Sequence, residues 1–504
     1  MSQRTDLTQH FESISPAEFF YRNRQMAGFA NASQALYSAV RELVENSLDS
    51  CEDHSILPRV DISITNNGSD TFNLRVSDNG PGVPTEHVPN AFGKVLFGSK
   101  YRQRQKRGAF GLGVTMAILY GQITTDSAAV IHTKQIDSPG TEYRLLIDVE
   151  KNCPIVQSTC ELHRESTGTT VSICLKGNLS RSEDRIMEYL RLTSVSSPHA
   201  SLSLTIDGNV VAKFGGVSRT PPPPPSITKP HPRSVDLEMM NRLIQQKSKK
   251  RLKDWLVDSF QKVGVKTATD FLKFIQMDPN RKVTSLSRDE LIRIGSGLRK
   301  YDKFENPDSR ALSPIGKSSF IVGVRSAFNT SAQYYSVRTA SEWHGHPLII
   351  EGILVIGDDF PRSDIPTLYR FANRVPLLYD SSEDVLTKAL KRVNWGRYNL
   401  RNSSPAALFV NLSSTRIPFK AAGKQSIASI PEIEEIAIAL YRDLGRRLNK
   451  VLKQHLQSTL KTKRMREFRR FFNLLAVYGA ELAETQVPET SSMIDQLFEV
   501  EDIE

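Results

Sequence analysis

The chain has 504 residues, 39% of them hydrophobic and 24% charged, the profile of a soluble globular protein with room for about three domains. Its formal net charge of +11 favours a polyanionic partner such as nucleic acid, and its four cysteines, none in C-x-x-C, exclude a disulfide scaffold and suit a reducing cytosol. The N-terminal MSQRTDLTQHFESISP has no apolar core like that of a signal peptide, and the most apolar stretch, PLIIEGILVIG, is too short to span a bilayer and carries Glu351, so no membrane role is expected.

Residues 19–50 read as helical and end in RELVENSLDS. VDISITNN and FNLRVSDNG alternate like strands, and GAFGLGVTMAILYGQ is a glycine-rich turn running into an apolar helix. AAVIHTKQ, EYRLLIDVE, GTTVSICLKG and LSLTIDG continue the strand pattern. Together they predict an α+β layer, with helices against a mixed or antiparallel sheet. PPPPPSITKPHP, residues 221–232, is the clearest boundary, because proline runs form stiff extended segments that cannot join a sheet interior. A helical segment follows over about 235–305, then a second α+β stretch over about 306–440 containing PLIIEGILVIG and AALFVNLSS. From Pro431 to about Tyr478 the pattern is one long helix or two in series, and the last residues are acidic.

Several motifs carry possible chemistry. Glu42 and Asn46, four apart in RELVENSLDS, share a helix face. A carboxylate there could activate a water, and an amide oxygen is a hard ligand suited to Mg²⁺. An isolated E-x-x-x-N is ordinarily just a solvated helix face. In SDNGPGV, Asp78 could accept a hydrogen bond from an exocyclic amine, while Gly80 and Gly82 let backbone lie close to a ligand; most such stretches are plain turns. KRGAFGLGVT, residues 106–115, gives G-x-x-G-x-G before a helix, where free N–H groups bind phosphate. Ser99 and Lys100 stand just upstream, and STGTTVSI places hydroxyls at a strand start. ALSPIGKS, residues 311–318, meets a permissive Walker A pattern, but its interior holds Leu312, Pro314 and Ile315, and no strand precedes it, so it is not expected to bind ATP.

In order and spacing, E-x-x-x-N, D-x-G-x-G, G-x-x-G-x-G and G-T before a strand resemble the GHKL (Bergerat) ATP-binding fold. Gyrase-type topoisomerases, Hsp90 chaperones, MutL proteins and histidine kinases share it. Outside these motifs, PAEFFYRNRQMAGFANASQALYSAVRELVENSLDS, AFGKVLFGSKY, LSPIG, HGHPLIIEGILVIG, YRFANRVPLLYD and FKAAGKQSIA resemble the ATPase (B-type) component of the type IIB DNA topoisomerases, the topoisomerase VI family.

The resemblance implies a division of the chain into four parts. These are a GHKL ATPase sandwich with its N-terminal strap and proline-rich exit over 1–228, a helix–two-turns–helix domain over 229–305, an α+β transducer over 306–455, and a C-terminal helix with an acidic tail over 456–504. It makes Glu42 the water-activating base, Asn46 the Mg²⁺ ligand and Asp78 the adenine reader, supported by Gly80, Gly82 and Thr169. Ser99, Lys100 and the lid residues Gly108, Ala109, Phe110, Gly111, Leu112, Gly113, Val114 and Thr115 then surround the phosphates. Phe110 departs from the glutamine of many relatives. Of Lys420 and Lys424, the family pattern selects Lys424 as the transducer lysine that reaches the γ-phosphate.

The function implied is that of an ATP- and Mg²⁺-dependent clamp. ATP-driven dimerisation would capture a duplex and drive it through a double-strand break made by a separate A subunit. The assembly would hold two copies of each subunit, relax and decatenate DNA, and work in the cytoplasm at the nucleoid of a prokaryotic-type cell. The alternative is a MutL- or Hsp90-like ATP-gated clamp or chaperone that never cuts DNA. Eleven Lys or Arg between Arg442 and Arg470, opposed only by Asp443 and Glu467, give that helix +9 and predict phosphate contact along it. Phe468, Phe471, Phe472 and Leu474 beyond it are expected to dock the A subunit.

Overall fold

The computed structural model describes residues 13–98, 105–108, 111–163, 165–246, 249–400, 405–420 and 424–489, with only the backbone described for 340 and 451–462. Helix α1 (Pro16–Arg22) begins where Ser15 Oγ accepts from the Glu18 amide. The long helix expected over 19–50 is broken after α1. Gly28 adopts a left-handed φ of 89°, and extended Asn31 caps a new helix, α2 (Ala32–Asp53), by accepting from the Gln34 amide at 2.9 Å. A side chain that caps one helix cannot also sit inside the preceding one.

Strands β1 (Arg59–Asn66) and β2 (Thr71–Asp78) form a hairpin, followed by α3 (Val88–Gly93) and α4 (Gly113–Thr125). Then come β3 (Ala129–Lys134), β4 (Gly140–Asp148), β5 (Cys153–Leu162), β6 (Gly168–Lys176), α5 (Leu179–Ser196), β7 (Ser201–Ile206) and β8 (Asn209–Gly215). The eight strands make one sheet in the order β5-β4-β3-β6-β2-β1-β7-β8, antiparallel except where β1 runs parallel to β7. Inward residues such as Val60, Ile62, Ile64, Leu74, Ile131 and Leu145 pack against α2, α4 and α5. Strands β5 and β8 escape sequence reading because they are edge strands. The middle of β5 is exposed at every position, so alternation leaves no trace there.

The proline-rich segment leads over the surface into α6 (Leu237–Gln246), α7 (Leu252–Ser259), α8 (Val265–Phe274) and α9 (Arg288–Lys300), which have their own core around Trp255, Phe260, Phe271 and Leu298. The last layer contains α10 (Lys317–Ala327), β9 (Ala332–Trp343), β10 (His346–Ile356), β11 (Thr367–Ala372), β12 (Val375–Pro376), α11 (Val385–Arg392), β13 (Ala406–Ser414) and α12 (Pro431–Leu482). Its sheet order is β12-β11-β13-β10-β9. Strand β13 is buried at every position because α10 covers one face of the sheet while α11 and α12 cover the other.

Helix α12 is one unbroken helix of 52 residues. Ile433, Ala437, Leu440, Tyr441, Leu444 and Leu448 seat its first half on the sheet, whereas Arg464, Arg466, Arg469 and Arg470 stand in solvent. A division between 455 and 456 therefore falls inside a continuous helix. Among the described residues no helix is long and apolar enough to cross a membrane.

The first and last layers share a core: Leu192 and Val195 of α5 pack with Phe320 and Val324 of α10. Gly323 makes this approach possible, since a Cβ there would lie 2.1 Å from the Val195 carbonyl oxygen. Gly323→Ala is expected to wedge α10 from α5 at a cost of about 1–3 kcal/mol. Calorimetry should record a lower unfolding midpoint; an unchanged midpoint would mean that the two layers part freely.

Candidate active site

Helix α2 is almost wholly internal, yet Arg41, Glu42, Glu45, Ser47 and Glu52 are buried on it. Burying so many ionisable groups is costly unless each is paired, so their partners define the site. Arg41 Nη2 lies 2.6 Å from Glu42 Oε1, and Arg41 Nε lies 3.4 Å from Glu45 Oε1. Asn46 follows Glu42 by one turn and is half-buried.

The other oxygen of Glu42 is aimed at the start of α4. A Cβ on Gly113 would lie 1.8 Å from Glu42 Oε2, so the carboxylate occupies the space that any side chain at 113 would fill. Gly111 precedes it with a left-handed φ of 63°, Leu112 is buried, and Thr115 Oγ1 donates to the Leu112 carbonyl at 3.0 Å. Val114 packs against the first core. The backbone N–H groups that open α4 thus face a carboxylate-bearing helix, an arrangement suited to phosphate beside a water-activating base.

Asp78 ends β2 and is fixed by three donors. Ser47 Oγ reaches Oδ2 at 2.9 Å, while the amides of Gly80 and Thr169 reach Oδ1 at 2.9 and 3.0 Å. The Gly80–Gly82 loop is tied to β3: Val83 N donates to Thr133 Oγ1 at 2.8 Å, and Thr133 Oγ1 donates to Val83 O at 3.0 Å. Gly82 has a φ of 79°, and a Cβ there would meet the Lys134 carbonyl oxygen at 2.3 Å. Cys51 is buried against this site. Burial, then the charges of Asp78 and Glu52, push its thiol up to about 12, so it is no nucleophile.

Lys424 comes from the last layer and is buried, with a φ of 53°. Its Nζ donates to the Arg107 carbonyl at 3.1 Å and lies 3.8 Å from Glu45 Oε2. Lys420 is elsewhere, paired with Glu383 at 3.0 Å. Neither Glu45 oxygen has a hydrogen-bond partner among the described residues. Burial raises the Glu45 carboxyl above its usual range, against the pull of Lys424 and with the push of Glu42. Gly108 follows Arg107, while Ser99, Lys100, Ala109 and Phe110 lie outside the described residues.

Glu42, Asn46, Asp78, Thr169, Gly113 and Lys424 thus gather around α2 and the start of α4. Sequence reading assigned no role to Arg41, Glu45, Ser47, Glu52 or Arg107. For Arg41, Glu45 and Glu52 the one signal is a density of charge in a segment whose remaining residues are core-like. The Walker-like loop is closed to phosphate: the amides of Ile315 and Gly316 donate to the two oxygens of Glu351 at 2.7 and 2.9 Å. Tyr335 and Asn411 donate to the same carboxylate at 3.0 and 2.8 Å.

Residues 31–177 match the family described as histidine kinase-, DNA gyrase B- and HSP90-like ATPase. Residues 307–464 match the topoisomerase VI B subunit transducer. The chain is 39% identical over 435 residues to the type 2 DNA topoisomerase 6 B subunit of Metallosphaera sedula, covering 85% of this chain and 82% of that one. It is 37% identical over 453 residues to its namesake in Saccharolobus shibatae, covering 88% of this chain and 86% of the relative.

Because Glu42 fills the space over Gly113, Gly113→Ala should displace the carboxylate without removing it. Nucleotide turnover is expected to fall about 10²–10⁴-fold, the range for loss of a positioned base. Phosphate release measures this, and wild-type turnover in the variant would show that the carboxylate can act from elsewhere.

Proposed function

The chain belongs to the family of type 2 DNA topoisomerase 6 B subunits, and from that premise we propose how its residues perform the work. It is the ATP-driven subunit of a type IIB topoisomerase. The observation that carries the residue-level reading is the gathering about α2 of Glu42, turned to the start of α4, Asp78, bonded to Ser47, and the transducer's Lys424, beside Glu45.

Adenine is read by Asp78. Its carboxylate accepts from the exocyclic amine, and Ser47, Gly80 and Thr169 keep it in place, so no reorganisation is needed on binding. Gly82 keeps the loop close to β3 and clear of the base. The phosphates lie along the N–H groups of the Gly108–Thr115 segment. Asn46 fits a Mg²⁺ site: it is a half-buried hard oxygen donor one turn from Glu42, and this ion commonly takes few protein ligands. When bound, Mg²⁺ neutralises phosphate charge. Glu42 takes the proton from the attacking water while Arg41 holds its other oxygen. Lys424 leaves the Arg107 carbonyl for the γ-phosphate and returns after hydrolysis, carrying the transducer with it.

Two copies of this chain close on a duplex when ATP binds, and two A subunits make the break through which it passes. The A subunit docks on the far end of α12, where Phe468, Phe471 and Leu474 are 47%, 60% and 48% exposed. The basic residues between that end and the transducer sheet contact duplex phosphate without reading sequence. Such a protein works where the chromosome lies, at the nucleoid. A clamp or chaperone without cleavage is not favoured, because the match continues through the transducer.

Glu42→Gln should lower ATP turnover about 10²–10⁴-fold and leave ATP affinity largely intact. Reconstituted with an A subunit, it should fail to relax supercoiled DNA over many cycles; robust relaxation would reject Glu42 as the base. Neutralising Lys450, Arg464, Arg466 and Arg470 together should weaken duplex binding and flatten its salt dependence, each lost phosphate contact removing about 0.9 from the log–log slope. Filter binding across a salt series checks this, and an unchanged slope would make the helix a mere spacer.

A further inference from the structure

Residues Gln105, Lys106 and Arg107 lie immediately before the phosphate-binding segment, and the transducer holds all three. The Gln105 side-chain amide exchanges two hydrogen bonds with the backbone of Ser313, at 2.9 and 2.7 Å. Asn373 Nδ2 donates to the Lys106 carbonyl at 2.9 Å, and Lys424 donates to that of Arg107 at 3.1 Å. The Arg107 guanidinium is buried against both oxygens of Glu52, at 2.7 and 2.8 Å, and reaches Asp49 at 2.9 Å and Ser197 Oγ at 3.0 Å.

Glu52 has two further partners from different parts of the chain. His199 Nε2 lies 2.9 Å from Oε1, and Arg374 Nη2 from the transducer lies 2.9 Å from Oε2. Although burial works against it, Arg107 and Arg374 hold the Glu52 carboxyl well below its usual range. Arg374 itself is poorly served. It is 5% exposed, and its Nε and Nη1 have no hydrogen-bond partner among the described residues. A guanidinium so desolvated for a single contact is a poor stabiliser. Its backbone is nevertheless fixed. Asn373 and Arg374 form a left-handed turn between β11 and β12, with φ of 49° and 70°. Asn411 Oδ1 accepts from the Arg374 amide at 3.1 Å, and Ser196 Oγ donates to its carbonyl at 2.6 Å.

We propose that Arg374 is a positioning residue of the ATP cycle: through Glu52 and Arg107 it ties the phosphate-binding segment to the transducer, independently of Lys424. It touches none of the groups assigned to the nucleotide. Lys424 responds to the presence of the γ-phosphate. Arg374 keeps its partner throughout the cycle, so a displacement that begins at Gly108 reaches β11 and β13 through Arg107, Glu52 and the turn. Beside the backbone contacts of Gln105 and Lys106, these two cationic connections do different work, and each should be separable by substitution. This inference rests on the ATP reading given above.

The test compares full-length wild type, Arg374→Ala and Arg374→Lys by hydrogen–deuterium exchange, with and without a non-hydrolysable ATP analogue and Mg²⁺. Wild type should change exchange in peptides spanning β11 to β12 and β13. Arg374→Ala should bind the analogue with wild-type affinity while that transducer response shrinks at least about fivefold, the lower end of ordinary coupling between sites. Arg374→Lys can still bring one cation to Glu52 and should recover part of the response. A full wild-type response in Arg374→Ala would overturn the proposal. Should Arg374→Ala fail to fold, Glu52→Gln/Arg374→Met decides, because it removes the pair while Arg107 keeps Asp49; the same outcomes apply to it. Absence of any analogue-induced change in wild type would instead overturn the ATP reading itself.

Discussion

An internal helix that carries five carboxylates has to be neutralised, and that constraint organises this molecule. Glu42, Glu45, Asp49 and Glu52 follow one another down α2, three or four residues apart, and three of them are buried. The helix supplies only Arg41 from its own buried residues. The other cations are imported: Arg107 from the segment before α4, and Arg374 and Lys424 from the transducer layer. An unpaired buried carboxylate is strongly destabilising, so Arg107 and Lys424 answer a demand of the folded ATPase layer itself, while Arg374 adds a second cation to a carboxylate that Arg107 already grips. The transducer is thereby part of the electrostatic structure of the nucleotide site as well as its mechanical neighbour.

The pairs differ in how firmly they are made, and the difference follows the work. Glu52 receives a two-point grip from Arg107 and further contacts from His199 and Arg374, and Arg107 and Arg374 hold its carboxyl well below the usual range against burial. Among the described residues Glu45 has only ion contacts, at 3.4 and 3.8 Å, and burial raises its carboxyl. A lysine held by one carbonyl and one distant carboxylate has little to lose when a phosphate presents itself. A guanidinium in a bidentate pair has much to lose, and stays. On the proposed cycle, one end of α2 exchanges partners and the other transmits force. The continuous apolar contact between α5 and α10 keeps the two layers in register while this happens.

The same logic separates the proposed phosphate segment from the Walker-like loop. Both present backbone amides. In the loop at Ile315 and Gly316 the amides are filled by Glu351, a carboxylate built into the protein. Burial raises the Glu351 carboxyl, but four donors meet its two oxygens, so the loop serves as an internal anchor for β10. At the start of α4 a carboxylate is also near, but it lies over Gly113 with Arg41 on its other oxygen. On the proposed reading it serves chemistry there, with the Arg41 guanidinium fixing its orientation.

The sequence by itself determined a good deal. The strands of the first sheet that face a core, the apolar helix after the glycines, the proline-rich exit and the long basic helix all leave periodic or compositional marks, because burial of one face imposes a period on the chain. The spacing of Glu42, Asn46, Asp78 and the glycines was equally legible, since groups on one helix or one turn keep fixed local distances. What the sequence could not display was distance between segments. Edge strands β5 and β8 face solvent and carry no alternation to read. The break at Gly28 turns on one backbone angle. The Arg107–Glu52–Arg374 cluster joins residues far apart in the chain, and nothing local marks any of the three as partners. Only the tertiary structure decided those pairings, because the demand that creates them, cancelling charge inside a closed core, exists only once the core has formed.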